Sequence, residues 1–150
     1  MNSKLYLLKI IIIGFIIFIV NYFFYQICFV NGNSMYPTLK NKDVVIVQKY
    51  NLNMKKNDIV VIKKNNNIVI KRIVGLPNDS LIIEKGYLYV NNKKFDNLYT
   101  KDSGILNNKV KLLKEEYFVL GDNRQSSIDS RFDEIGIINK KDIIGKVIFQ

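Results

Sequence analysis

Ser34 lies in the segment Asn31-Gly32-Asn33-Ser34-Met35-Tyr36-Pro37-Thr38-Leu39, where Gly32 and Pro37 preset a tight turn. Such a turn can present a serine hydroxyl together with a backbone N–H, the groups that attack on a carbonyl requires. The same turn also suits a serine that only hydrogen-bonds its own backbone. Lys71 is the second candidate. It sits beside Arg72 inside the β-branched run Ile68-Val69-Ile70-Lys71-Arg72-Ile73-Val74. On a strand, Lys71 shares a face with Val69 and Ile73, while Arg72 points the other way with Ile70 and Val74. If that strand is buried, desolvation lowers the amine's pKa and makes a general base near neutral pH. On an edge strand the same lysine would snorkel into water. A third segment, Gly121-Asp122-Asn123-Arg124-Gln125-Ser126-Ser127-Ile128-Asp129-Ser130-Arg131, pairs two acids with two arginines. It can hold itself together by ion pairs without any catalysis. Asp122 and Asp129 could in principle ligate a cation, but the neighbouring arginines argue against a metal.

Histidine is absent from all 150 residues, which excludes Ser-His-Asp and Cys-His catalysis and the commonest transition-metal ligand. Any catalytic base must be Lys, Asp, Glu or Tyr. The lone Cys28 cannot form an internal disulfide or a cysteine-rich zinc site. The net charge of +10 is spread along the chain, almost all of it as lysine. It forms no basic stripe interleaved with aromatics, so nucleic acid is not the expected partner. Solvated surface, or attraction to anionic lipid headgroups, accounts for it better.

Two kinds of element must position these groups. Residues Ile10 to Val30 carry no charge, and about 20 apolar residues suffice to cross a bilayer as a helix. Tyr22, Phe23, Phe24 and Tyr25 lie toward its far end, as an interfacial aromatic belt would. Lys4 and Lys9 precede it and favour a cytoplasmic N-terminus. A cleavable leader has a similar start but needs a small-x-small cleavage site, and the chain contains no alanine. The expectation is therefore an anchor over residues 1–30 and one extracytoplasmic domain over 31–150. In that domain Val44–Val47, Ile59–Ile62, Ile68–Ile70, Leu81–Ile83, Tyr87–Val90, Tyr117–Leu120 and Ile143–Phe149 read as strands. Asn65-Asn66-Asn67 and Glu84-Lys85-Gly86 read as hairpin turns. The expected fold class is mainly β, behind a single transmembrane helix.

The three segments, in this order and after an apolar span, resemble the boxes of type I signal peptidases. SMYPTL is similar to the nucleophile box, KRIVGLP to the lysine box and GDNRQSSIDSR to the long C-terminal box. The resemblance covers essentially the whole chain and is to the short, Gram-positive-like bacterial form. It implies a signal-peptidase-type β domain with a Ser/Lys dyad, anchored in the cell membrane, that removes signal peptides from secreted preproteins. By the same resemblance Ser34 is the nucleophile, Lys71 the general base and Ser127 the residue that orients Lys71. Met35 lines the substrate site, and Arg72 with Asp122 and Asp129 with Arg131 form supporting ion pairs. Some members carry a serine where this chain has Gly32, so a backbone N–H at or beside Gly32 is expected to join that of Ser34 in an oxyanion hole. Asn78 stands where glycine is frequent, and asparagine tolerates the left-handed conformation. Substrates are expected to carry small residues before the cut, and no cofactor is required. The alternatives are an accessory protein for pilus or surface-protein assembly, and the cytoplasmic self-cleaving repressors that also use a Ser/Lys dyad.

Overall fold

The computed structural model describes residues 3–100, 102 and 104–149. Residues 1–2 of the expected anchor, the Lys4 side chain and Gln150 lie outside them. The chain begins with α1 (Ser3–Phe24), 22 residues long, or about 33 Å at the helical rise. Its stretch Leu5–Phe24 has a mean hydropathy of 2.5, and none of its described side chains is buried against the rest of the chain. It is long and apolar enough to cross a membrane. The apolar run does not remain helical to Val30 as expected. It divides at Phe24, and Tyr25–Phe29 becomes strand β1, because its backbone pairs residue for residue with β2 (Val44–Gln48).

The seven strands expected from the sequence all form. They are β2, β3 (Ile59–Lys64), β4 (Asn67–Gly75), β5 (Ser80–Glu84), β6 (Tyr87–Val90), β9 (Glu116–Leu120) and β11 (Ile143–Phe149). Three two-residue pieces, β7 (Lys93–Lys94), β8 (Val110–Lys111) and β10 (Ile138–Asn139), complete the set. The large antiparallel sheet runs β1-β2-β11-β3-β4-β9-β10, and the small one β7-β6-β5-β8. Turns explain the sharp reversals. Asn65 and Asn66 both have positive φ (50° and 63°), as do Lys85 and Gly86 (49° and 78°), which is the backbone of a two-residue hairpin. Asn78 is also left-handed, at φ 69°.

Apolar residues gather in three clusters. Val60, Ile62, Ile73 and Val119 lead one, and Val74, Leu81, Leu88, Phe118 and Leu120 bind the small sheet to the large one. The third holds Val30, Met35, Leu39, Val45, Val47 and Val61. This last cluster matters for function. Met35 and Leu39, fully buried at about 1.5–3 kcal/mol each, nail the turn bearing Ser34 onto the sheet.

Candidate active site

β4 lies between β3 and β9 in the interior of the large sheet, so Lys71 is not on an edge. Its side chain is 4% exposed, and its Nζ donates to Ser34 Oγ at 2.7 Å. The snorkelling alternative is thereby excluded. Burial is the main influence on the amine and pushes its pKa below the ordinary lysine value. The Arg131 charge works in the same direction, while Asp129 and Asp122 oppose it. Below the ordinary value of the unfolded chain, that chain keeps a proton the folded one has lost. Stability therefore rises with pH between the folded and unfolded pKa values. Replacing the buried amine with an apolar chain of similar length removes this cost. Lys71→Met is expected to raise the thermal midpoint at neutral pH by about 3 °C, read by thermal melting in detergent.

The turn before the nucleophile has Gly32 at φ 94°, a conformation that glycine adopts without strain. The Gly32 N–H donates to Asn41 Oδ1 at 3.0 Å. That group is therefore already hydrogen-bonded in this structure. The Ser34 N–H makes no hydrogen bond among the described residues. A groove of about 130 Å³ runs past Ser34, Met35 and Lys71, walled by Cys28, Val30 and Ile70. Met35 lines this groove beside Ser34.

The loop 121–131 encloses the pair from the other side. The Asn123 N–H donates to the Ser34 carbonyl at 3.0 Å, and Asn123 Nδ2 donates to the Asn33 carbonyl at 3.2 Å. Gly121 packs so closely that a Cβ there would lie 2.2 Å from Ser127 Oγ and 2.5 Å from the Ser34 carbonyl. Ser127 is buried beside the dyad, but its Oγ has no hydrogen-bond partner among the described residues. The bond to Lys71 implied by the resemblance is not made in this state.

Both ion pairs form. Arg72 grips Asp122 through two parallel bonds, Nε to Oδ1 at 2.7 Å and Nη2 to Oδ2 at 2.6 Å. Thr38 Oγ1 donates to the same carboxylate at 2.5 Å. Burial works against a charged Asp122, yet the bonds from Arg72 and Thr38 outweigh it and hold the carboxyl below its ordinary value. Asp129 and Arg131 are 0% and 1% exposed and meet at 2.8 and 3.0 Å. The guanidinium also reaches the Asp102 carbonyl through Nη1 and the Arg124 and Ser127 carbonyls through Nη2. Asp129 also accepts the Gly121 N–H at 3.0 Å. Sequence reasoning missed three partners here: Thr38, Asn123, and the Arg124–Asp96 pair that ties this loop to the 95–100 segment. Only the rarity of arginine among so many lysines pointed toward Arg124. Among the described residues no group of acids, cysteines or histidines could hold a metal.

A serine hydroxyl held by a buried lysine amine, on an antiparallel β domain behind an apolar helix, defines a membrane-associated serine peptidase. The sequence profile of the family described as Signal peptidase, peptidase S26, matches residues 3–150. The chain belongs to this family. It is 38% identical over 155 residues to signal peptidase I P of Bacillus subtilis subsp. natto, covering 92% of this chain and 83% of that one. It is 36% identical over 153 residues to signal peptidase I U of Bacillus subtilis (strain 168), with 92% and 81% covered. Among solved structures, a signal peptidase I from Enterococcus faecalis V583 matches with a TM-score of 0.50 at 23% identity. That match covers 63% of this chain and 97% of the other, and it bears on the fold alone.

Proposed function

We propose that Ser34 is the nucleophile and neutral Lys71 the general base with which this serine endopeptidase removes signal peptides from preproteins. The observation that carries the assignment is the 2.7 Å contact between Lys71 Nζ and Ser34 Oγ at a buried lysine. Lys71 takes the hydroxyl proton as Oγ attacks the scissile carbonyl, and it returns that proton to the leaving amine. The Ser34 N–H, free of other bonds among the described residues, is positioned on the nucleophile's own backbone to receive the oxyanion. Ser127 Oγ offers the protonated amine a second acceptor, which is a use for a buried hydroxyl otherwise unpartnered. The groove is small and walled by apolar side chains, so it suits an extended substrate with small residues before the cut. The helix α1 spans the bilayer, with the catalytic domain on the extracytoplasmic side and no nucleic acid involved.

The pH profile tests the assignment. With purified full-length protein in detergent and a purified preprotein, kcat/KM should rise with unit slope as pH increases. It should level off below the ordinary lysine pKa, because the working form is the deprotonated one and burial lowers its pKa. A flat profile removes Lys71 from the base role, and an absence of cleavage favours the accessory reading.

A further inference from the structure

We infer that Lys49 and Tyr50 lock the anchor helix to the catalytic domain, so that this junction sets which peptide bond of a membrane-held substrate is cut. The inference rests on the reading above, in which α1 spans the bilayer and Ser34 attacks the substrate. α1 ends at Phe24 and β1 begins at Tyr25, with no residue between them. β1 is then paired with β2 through all five of its residues. A covalent hinge is therefore missing where a tethered domain would ordinarily have one.

The far end of β2 folds back to close the joint. The Lys49 N–H donates to the Phe24 carbonyl at 2.9 Å, and Lys49 Nζ reaches the Tyr22 carbonyl at 3.5 Å. Carbonyls in the last turn of a helix have no partner within it, so Lys49 supplies one from the catalytic domain. The Tyr50 ring meets Phe24 edge-on at 4.7 Å and Tyr25 at 5.8 Å. The two tyrosine hydroxyls lie 3.1 Å apart. Gln48 Nε2 holds the Tyr50 carbonyl at 3.0 Å. Tyr50 is 39% exposed and belongs to none of the core clusters, so its packing serves the junction rather than the core.

The rigid path continues to the nucleophile. The Val30 N–H donates to the Asp43 carbonyl, and Val30's own carbonyl accepts from Lys42, both at 2.8 Å. The Gly32 N–H is held by Asn41. A strand of five residues measures about 17 Å, so Ser34 is carried at a set height above the end of the helix. A preprotein whose apolar segment lies in the same bilayer is tethered as well. Two tethered partners meet at an effective concentration that peaks where their spans match and collapses elsewhere. A stiff junction narrows that peak to one bond, and a slack one spreads it over several.

The test uses a preprotein with two identical small-residue cleavage sites placed four residues apart in one chain. Enzyme and substrate share vesicles of phosphatidylglycerol and phosphatidylethanolamine. Wild type should cut one site about tenfold faster than the other. Insertion of Gly-Gly-Ser-Gly-Gly-Ser between Phe24 and Tyr25 should bring the two rates to within about twofold. Tyr50→Ala should move the ratio in the same direction by a smaller factor. Cleavage of a short water-soluble peptide in detergent should stay unchanged in both variants, since neither touches Ser34 or Lys71. If the inserted chain loses peptide cleavage, the ratio for Tyr50→Ala alone decides. An unchanged site preference in the variants overturns the inference, and so does a wild type that cuts both sites equally. A wild type that cleaves neither preprotein nor peptide overturns the proposed reaction itself.

Discussion

Ser34→Ala and Lys71→Ala should each lower kcat/KM for a preprotein by about 10⁴-fold or more, with the double variant hardly worse than either. On the proposed mechanism, the alanine at 34 removes the oxygen that forms the acyl-enzyme. The alanine at 71 leaves that atom with no base at hydrogen-bonding distance, since Lys71 Nζ is the group bonded to Ser34 Oγ and the chain has no histidine. The two act as one unit, so their losses cannot add. Both proteins should remain folded. Ser34 is not in the core, and Lys71 is a desolvated amine whose removal relieves a cost. The measurement is cleavage of purified preprotein by detergent-solubilised variants, with thermal melts as the folding control. Full activity in Lys71→Ala would sink the dyad.

The second large effect concerns Asp129. Its carboxylate is fully buried and shared between the Arg131 guanidinium and the Gly121 N–H. Asp129→Ala would leave a buried arginine without its counter-ion, which costs about 3–5 kcal/mol. For a chain of this size that lowers the thermal midpoint by about 10 °C. The loss should reach the chemistry too, because Gly121 abuts both Ser127 Oγ and the Ser34 carbonyl. The origin of the cost can be checked within the same experiment. Arg131→Met added to Asp129→Leu should recover much of the stability, because removing both charges of a buried pair is far less harmful than removing one. If the single variant melts with the wild type, the pair is not a keystone of the loop.

The strands were legible because their apolar runs are β-branched and bounded by Asn, Gly and Pro, and local chemistry decides such runs. The two-residue turns were legible for the same reason. Asn65, Asn66 and Gly86 tolerate positive φ wherever they stand. The end of the anchor was not legible. Tyr25–Phe29 continues the uncharged run of the helix before it, and it becomes a strand because β2 offers it a full set of backbone partners. Thr38, Asn123 and Asp96 were equally silent, being common polar residues whose partners lie far away in the chain.

The sequence by itself determined the type of chemistry. An absent histidine, a serine in a preset turn and a lysine inside a β-branched run left few other routes to acyl transfer, and the order of three boxes pointed to one family. Whether Lys71 is desolvated was decided only by tertiary structure. A lysine flanked by Val69 and Ile73 is wet on an edge strand and dry inside a sheet, and its pKa follows from which it is. Burial between β3 and β9 made it dry, and the turn anchored by Met35 and Leu39 brought Ser34 to it. The same assembly left Ser127 unbonded and committed the Gly32 N–H to Asn41. Hydrogen bonds across the chain are settled by distances of a few tenths of an ångström, which no spacing of residue types encodes.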